Sequence, residues 1–264
     1  MQQNSVKYIV GFATIVCAIC SLLVSTTATV LKDQQKLNQK IDKQLKVLSV
    51  SGLVGDGERP SAEDIDELFN TRIEIVMIDI VTGEVKTDTG IDPATYDLIK
   101  AAKDPDISHA VDRDPSKVKR VPNIMPVYIV NDEDGNADLY VLPVEGMGLW
   151  GFLYGFIALD TDTNTIEGLT YYKHKETPGL GAEVDNPSWK AKWPGRLVFD
   201  ADWNVAIGVI KGAAGSTSEA PHDVDGLSGA TLTSNGVTYM LRFWLGDNGF
   251  GPYLEKQRNE GGNA

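Results

Sequence analysis

Between Lys7 and Lys32 the chain runs for 24 residues, Tyr8 to Leu31, without a charged side chain. A helix rises ~1.5 Å per residue, so this run spans ~36 Å against a hydrocarbon core of ~30 Å. That length makes the first element a membrane-crossing helix with room to tilt, and everything after it a part that must fold in water. A cleaved signal peptide is the competing reading. The apolar run is too long for one, and no convincing small-x-small cleavage site precedes Lys32. An uncleaved single span within residues 1–34 is therefore expected. Thr14, Ser21, Ser25, Thr26, Thr27 and Thr29 are tolerable there because hydroxyls back-bond to helix carbonyls or face other helices, which suggests partners in the membrane.

Charge is distributed unevenly along the chain. The first 50 residues hold six lysines and two aspartates, a net of +4, so the remainder of the 264 residues carries −17 against the chain's formal −13. Such an acidic body argues against nucleic-acid binding, which needs a basic footprint. The two cysteines, Cys17 and Cys20, both fall in the apolar run and read as small residues of its helix. With three histidines besides, neither a disulfide framework nor a metal centre is expected in the soluble part. Five lysines follow the span and one precedes it, and the positive-inside rule would keep that part in the cytoplasm. Leu37, Ile41, Leu45 and Leu48 recur at helical spacing, so residues 35–60 are read as a juxtamembrane amphipathic helix and a Gly-rich linker.

Residues 61–135 open with a capped helix start at Ser61. The alternation of Ile73, Ile75 and Met77 before Thr82-Gly83 predicts a hairpin into Glu84–Thr87, and Asp92-Pro93 predicts another helix. Residues 103–120 read as a loop. Val127–Val130 and Asp138–Leu142 flank an acidic turn that lacks the spacing of a calcium loop, so a plain hairpin is expected. In residues 136–256 further strands are expected at Gly148–Asp160, Thr165–Lys173, Arg196–Asp200 and Val205–Lys211. A short helix at Tyr253–Arg258 would lead into a polar tail, 257–264. Strands and helices do not alternate as βαβ units, and no Gly-x-Gly-x-x-Gly follows a strand. The fold class is α+β: a single N-terminal transmembrane helix, then one globular domain with a mainly antiparallel sheet and flanking helices.

The chemistry concentrates in Asp225-Gly226-Leu227-Ser228-Gly229-Ala230-Thr231, a small-residue turn leading into an amphipathic helix. Free N–H groups and the positive dipole end make such a start an anion site; an ordinary N-cap is the plainer reading. Ser228, Thr231, Thr233 and Ser234 give the segment an unusual density of hydroxyls. A second loop, Glu176-Thr177-Pro178-Gly179-Leu180-Gly181, is a Pro-Gly turn with Leu180 at its tip. A third stretch, Pro143 to Gly155, carries glycines between Met147, Trp150, Phe152 and Tyr154, as if a flat ring had to approach the backbone. His174 and Glu176 have the makings of an acid–base pair, but a structural role is the preferred reading.

Together these stretches resemble the FMN-binding domain family, in which flavin is joined by a phosphoester to the last residue of Asp-x-x-Ser/Thr-Gly-Ala-Ser/Thr. Every defined position of that motif is filled here. The likeness is nearest to the C subunits of sodium-translocating NADH:quinone reductases, and it covers the anchor turn, residues 143–151 and all that follows. It implies one covalent FMN on Thr231, making the chain a phosphoprotein in that sense. Asp225, Ser228, Gly229, Ala230 and Thr233 would shape the anchor, and Glu176, Thr177, Gly179, Leu180 and Trp150 would surround the ring. The resemblance further implies a flavin transferase during maturation, other membrane subunits of a reductase as partners, and a flavin domain on the periplasmic side of a bacterial inner membrane, opposite to the charge rule. The alternatives are the G subunit of an Rnf-type ferredoxin:NAD complex and a non-catalytic membrane-anchored adapter.

Overall fold

The computed structural model describes residues 5–55, 57–112 and 114–261; the outermost residues of the expected anchor and tail, 1–4 and 262–264, lie outside these. Two compact units divide at Lys43/Gln44. The first holds α1 (Val6–Val30) and most of α2 (Lys32–Val50). α1 is long and apolar enough to cross a membrane, and none of its residues is buried against protein.

The second unit begins with the last turns of α2 and continues through α3 (Ala62–Arg72), β1 (Ile73–Asp79), α4 (Leu98–Ala101), β2 (Ser108–Ala110), β3 (Arg120–Pro122), β4 (Ile124–Asn131), β5 (Ala137–Met147), β6 (Phe152–Asp160) and β7 (Thr165–Lys173). After these come α5 (Pro187–Lys190), β8 (Arg196–Leu197), β9 (Gly208–Val209), β10 (Asp223–Val224), α6 (Thr231–Trp244) and α7 (Gly251–Gly261). Six strands form one sheet in the order β1-β4-β5-β6-β7-β8, antiparallel throughout. β2 and β3 make a small antiparallel pair, and β9 and β10 a parallel one. The α+β class with a mainly antiparallel sheet is thus the observed one.

Strand alternation divides the sheet between two cores. One face carries Leu142, Val144, Leu153, Ile157, Leu169 and Tyr171, and packs beneath α6 with Val237, Met240, Leu241 and Trp244. The other carries Tyr128, Phe156 and Tyr172 in ring contact, joined by Phe69 of α3. The last turn of α2 reaches the same sheet, where Val50 fills the space a side chain on Gly168 would take. α6 lies on β5 because both offer a glycine at the crossing. A Cβ on Gly146 would fall 2.7 Å from the Cβ of Met240, and one on Gly236 would collide with the Met147 carbonyl. This crossing sets the N-terminus of α6 beside the β5–β6 turn.

Several expectations need correcting. The hairpin after Thr82-Gly83 forms but is short: one bridge, Ile78 to Val85, flanked by Asp79 N donating to Glu84 O at 2.9 Å and Lys86 N to Met77 O at 2.7 Å, on the edge of β1 away from β4. Asp92-Pro93 starts a turn rather than a helix: the Asp92 carboxylate accepts from Ala94 N and Thr95 Oγ1. The helix start lies at Asp97, which caps α4. Residues 103–120 contain β2 and the first residue of β3. The strand expected from Gly148 begins at Phe152, since Gly148 to Gly151 close the β5–β6 turn with a 2.8 Å hydrogen bond. Arg196–Asp200 and Val205–Lys211 keep only two ladder residues each, because the Asp200 carboxylate draws Asp202 and Asn204 into a tight turn. The polar tail is helical as far as Gly261. There α7 buries Tyr253 and Leu254, and Gln257 accepts a bond from Tyr140.

Glu145 stands on β5 opposite Tyr154, in a small recess with Pro143 and Tyr172, and burial pushes its carboxyl up to about 7 against the lowering influence of Lys103. The folded chain therefore holds a proton there that the unfolded chain releases near the ordinary value of 4.5. Stability from this group is intact below that value and declines as pH rises towards 7. Glu145→Gln should raise the melting temperature at pH 8 and leave it nearly unchanged at pH 4, as read by calorimetry. Gly236→Ala should cost about 1–3 kcal/mol through overpacking, measured by urea unfolding.

Candidate functional site

The anchor turn is shaped by short-range bonds. Ala230 N donates to Leu227 O at 3.1 Å, Leu227 N to Ser234 Oγ at 3.1 Å, and Ser234 N to Ala230 O at 3.0 Å. Gly229 takes φ +71°, a left-handed value that glycine adopts without strain. The Ala230 position at the start of α6 supplies no side-chain cap. Thr231, Ser234 and Asn235, at the positive dipole end of this 14-residue helix, line a cleft of about 330 Å³. Ser228, Gly229, Thr231, Ser234 and Asn235 line one wall of that cleft, and Ile210, Lys211 and Gly212 also line it. Ser228 and Thr231 are exposed, so the Thr231 hydroxyl is open to reaction.

Asp225 lies at the back of this turn. Its Oδ1 accepts from Ala214 N at 2.9 Å, and its Oδ2 pairs with Lys192 Nζ at 2.7 Å. The Ala214 amide, the Lys192 hydrogen bond and nearby positive charge hold its carboxyl below the usual range. Trp189 Nε1 donates to the Asp225 carbonyl at 2.8 Å. The motif's acidic residue thus braces the turn from behind.

Glu176 joins the three loops that the sequence singled out. Its side chain is buried, with Oε1 accepting from Leu149 N at 3.0 Å and Trp150 N at 2.9 Å. Its Oε2 accepts from Thr233 Oγ1 at 2.6 Å. Glu176 N donates to His174 Nδ1 at 3.2 Å, and His174 Nε2 meets Asp185 at 2.7 Å. The structural reading of His174 and Glu176 matches these contacts. Beyond Glu176, Leu180 N and Ala182 N both donate to Thr177 O at 3.1 Å, closing a turn in which Gly179 takes φ +74°. A Cβ on Gly229 would lie 3.1 Å from a methyl of Leu180, so that side chain sits beside the anchor turn. Trp150 is 64% exposed, and Leu149, Leu180 and Leu232 are exposed as well, an unusual grouping of apolar side chains.

Of the residues singled out in sequence, Thr231, Ser228, Gly229 and Ala230 form the turn, and Leu180, Gly179, Thr177 and Trp150 form exposed loops next to it. Thr233, Glu176 and Asp225 were expected around the cofactor, yet their side chains bond within the protein, with Thr233 wholly inaccessible. Sequence reasoning missed Ile210, Lys211 and Asn235. A signal existed for the second: a Lys-Gly pair opening the Gly-Ala-Ala-Gly-Ser stretch of an acidic chain.

A helix start without a side-chain cap, an exposed threonine and an apolar rim suit a ligand with a phosphate and a flat apolar body. The family described as the FMN-binding domain matches residues 148–246, which hold all three loops except the end of β5. Residues 148–246 are thus a match to an FMN-binding domain. Over full length, the C subunit of the Na(+)-translocating NADH-quinone reductase of Vibrio vulnificus strain YJ016 is 46% identical, covering 99% of both chains. The Yersinia pestis C subunit is 44% identical over 92% of this chain and 90% of its own. The crystal structure of Shewanella oneidensis NqrC aligns with a TM-score of 0.76 at 32% identity, covering 84% of this chain and 99% of that one. The chain belongs to the family of C subunits of Na(+)-translocating NADH-quinone reductase, and is thereby one part of an oxidoreductase.

Replacing Glu176 by Ala leaves two backbone amides and a buried hydroxyl without an acceptor. It should cost about 3–5 kcal/mol in urea unfolding and speed hydrogen exchange at Leu149 and Trp150. Glu176→Gln keeps acceptor capacity and should cost about 1–2 kcal/mol.

Proposed function

We propose that this chain is the single-pass, inner-membrane flavin subunit of a sodium-translocating NADH:quinone reductase, with one FMN joined through its phosphate to Thr231. The observation that carries the reading is the exposed Thr231 hydroxyl at a helix start with no side-chain cap, facing a cleft large enough for a phosphate and the start of a ribityl chain. The α6 N–H groups would hold the phosphate oxygens. Leu180 and Trp150 would cover the apolar ring system while leaving an edge accessible to a redox partner. Bound FMN supplies reversible one- and two-electron chemistry, and linkage through phosphate leaves its ring electronically free. The protein contributes position, solvent exclusion and a fixed dipole. A flavin transferase using FAD would install the group, and other membrane subunits would donate and accept the electrons.

α1 would anchor the domain, and we assign the flavin unit to the periplasm. The lysines after α1 oppose that orientation, so it rests on the family resemblance. Full-length identity to the C subunits of these reductases favours this reading over the G subunit of an Rnf-type complex and over a cofactor-free adapter. Intact mass of protein co-expressed with a flavin transferase tests it, with in-gel fluorescence after denaturation. Wild type should gain an FMN-sized mass on the peptide holding Thr231. Thr231→Ala should gain none, while Thr233→Ala should still be modified despite reduced stability. An unmodified wild type beside an active transferase would sink the proposal.

A further inference from the structure

Among the described residues, Lys211 is the only ionisable one lining the cleft at the start of α6. It is exposed, and among the described residues its ammonium has no hydrogen-bond or ion-pair partner. Its backbone, by contrast, is tightly held. Val209 N donates to Thr238 Oγ1 of α6 at 2.8 Å, Ile210 N to Val224 O at 2.9 Å, and Gly226 N to Gly212 O at 2.8 Å. Lys211 thus stands between two bonds that lace its segment to the chain on either side of Asp225. Gly226 lets the segments close, since a Cβ there would collide with the Ile210 carbonyl.

The nearest motif carboxylate does not compete for this lysine. Asp225 is engaged by Lys192 and by the Ala214 amide, and it does not line the cleft. In a chain of formal charge −13, a cleft lined by a lysine and, among the described residues, by no carboxylate favours an anion over the acidic surface around it. A lysine on a firm backbone, lining the same cleft as a helix start, suits a phosphate, because the ammonium follows the charge through a flexible stem while the helix N–H groups fix its orientation.

We propose that Lys211 is the counter-charge for the flavin phosphate, binding it both as it arrives and once it is esterified. This rests on the attachment of FMN at Thr231 proposed above. In the transfer, Thr231 Oγ1 attacks the flavin-side phosphorus of FAD. An Oγ–P bond forms, the P–O bond to AMP breaks, AMP leaves with the electron pair, and the hydroxyl proton passes to a base of the transferase. No oxidation state changes. The phosphorus stays anionic throughout, first in the pyrophosphate and then in the phosphodiester, so a cation on the chain's side of the reaction favours each stage.

The test uses the full chain purified from cells without a transferase, then incubated with purified transferase, FAD and magnesium, with attachment followed by intact mass. At low ionic strength Lys211→Ala should be modified about tenfold more slowly than wild type and Lys211→Glu more slowly still. Lys211→Arg should stay near wild type, and the gap should narrow at about 0.5 M salt. The loss should fall on the maximal rate at saturating chain, with the KM for the chain unchanged. Equal rates for wild type and Lys211→Ala would overturn the assignment, as would an arginine variant as slow as the alanine one. A raised KM for the chain alone would assign the lysine to transferase docking and overturn it too. Matching melting temperatures exclude a folding defect. If wild type itself gains no mass while the transferase modifies a control substrate, the attachment reading falls and Lys211 with it. Unimpaired Lys211→Ala beside modified wild type sinks the lysine alone.

Discussion

A buried carboxylate whose three donors come from two other segments of the chain holds this domain's site together. Glu176 receives two amides from the β5–β6 turn and a hydroxyl from the first turn of α6, partners 26, 27 and 57 residues away in sequence. An unpaired carboxylate in so buried a place would be prohibitive, whereas one with three donors is stabilising and unforgiving of geometry. The loop that follows is consequently fixed in direction, and Leu180 is delivered to the edge of the anchor turn. His174 and Asp185 continue the network outward, bracing the Glu176 backbone. The Glu-Thr-Pro-Gly loop therefore joins a buried structural end to an exposed apolar one.

Close packing of α6 on β5 makes that arrangement possible. Glycines at 146 and 236 let helix and strand approach more nearly than side chains would allow, so the register of α6 is decided by backbone contact. A helix held this firmly leaves its uncapped N-terminus facing a defined cleft, and the dipole and free N–H groups there have a fixed address. The acidic body would otherwise repel an anion. Asp225, behind the turn, is engaged by Lys192 and the Ala214 amide, which offsets the motif's own negative charge.

Much of this was legible in the chain. The uncharged run from Tyr8 declared α1, the capped start at Ser61 declared α3, and the strands of the central sheet announced themselves through apolar runs bounded by turn residues. Short ladders were the least legible. Near Val205 and Arg196, apolar stretches that look like strands make only two ladder residues each, and a carboxylate-centred turn at Asp200 folds them onto each other through a single bridge, Phe199 to Val205. Helix starts at Asp-Pro misled for a similar reason, since the Asp92 side chain satisfies a turn as readily as a helix.

By itself the sequence determined the long apolar N-terminal helix, the α+β class and the motif that places a threonine at a helix start, because each rests on periodicity, length or turn chemistry within one segment. Tertiary structure alone decided that Glu176 and Thr233 bond to each other, that Asp225 braces the turn from behind, and that Lys211 shares the cleft with Thr231. Those outcomes depend on which segments the sheet and the α6 crossing bring together. A hydrogen bond spanning 57 residues, or a cleft walled by two distant loops, leaves no local pattern to read.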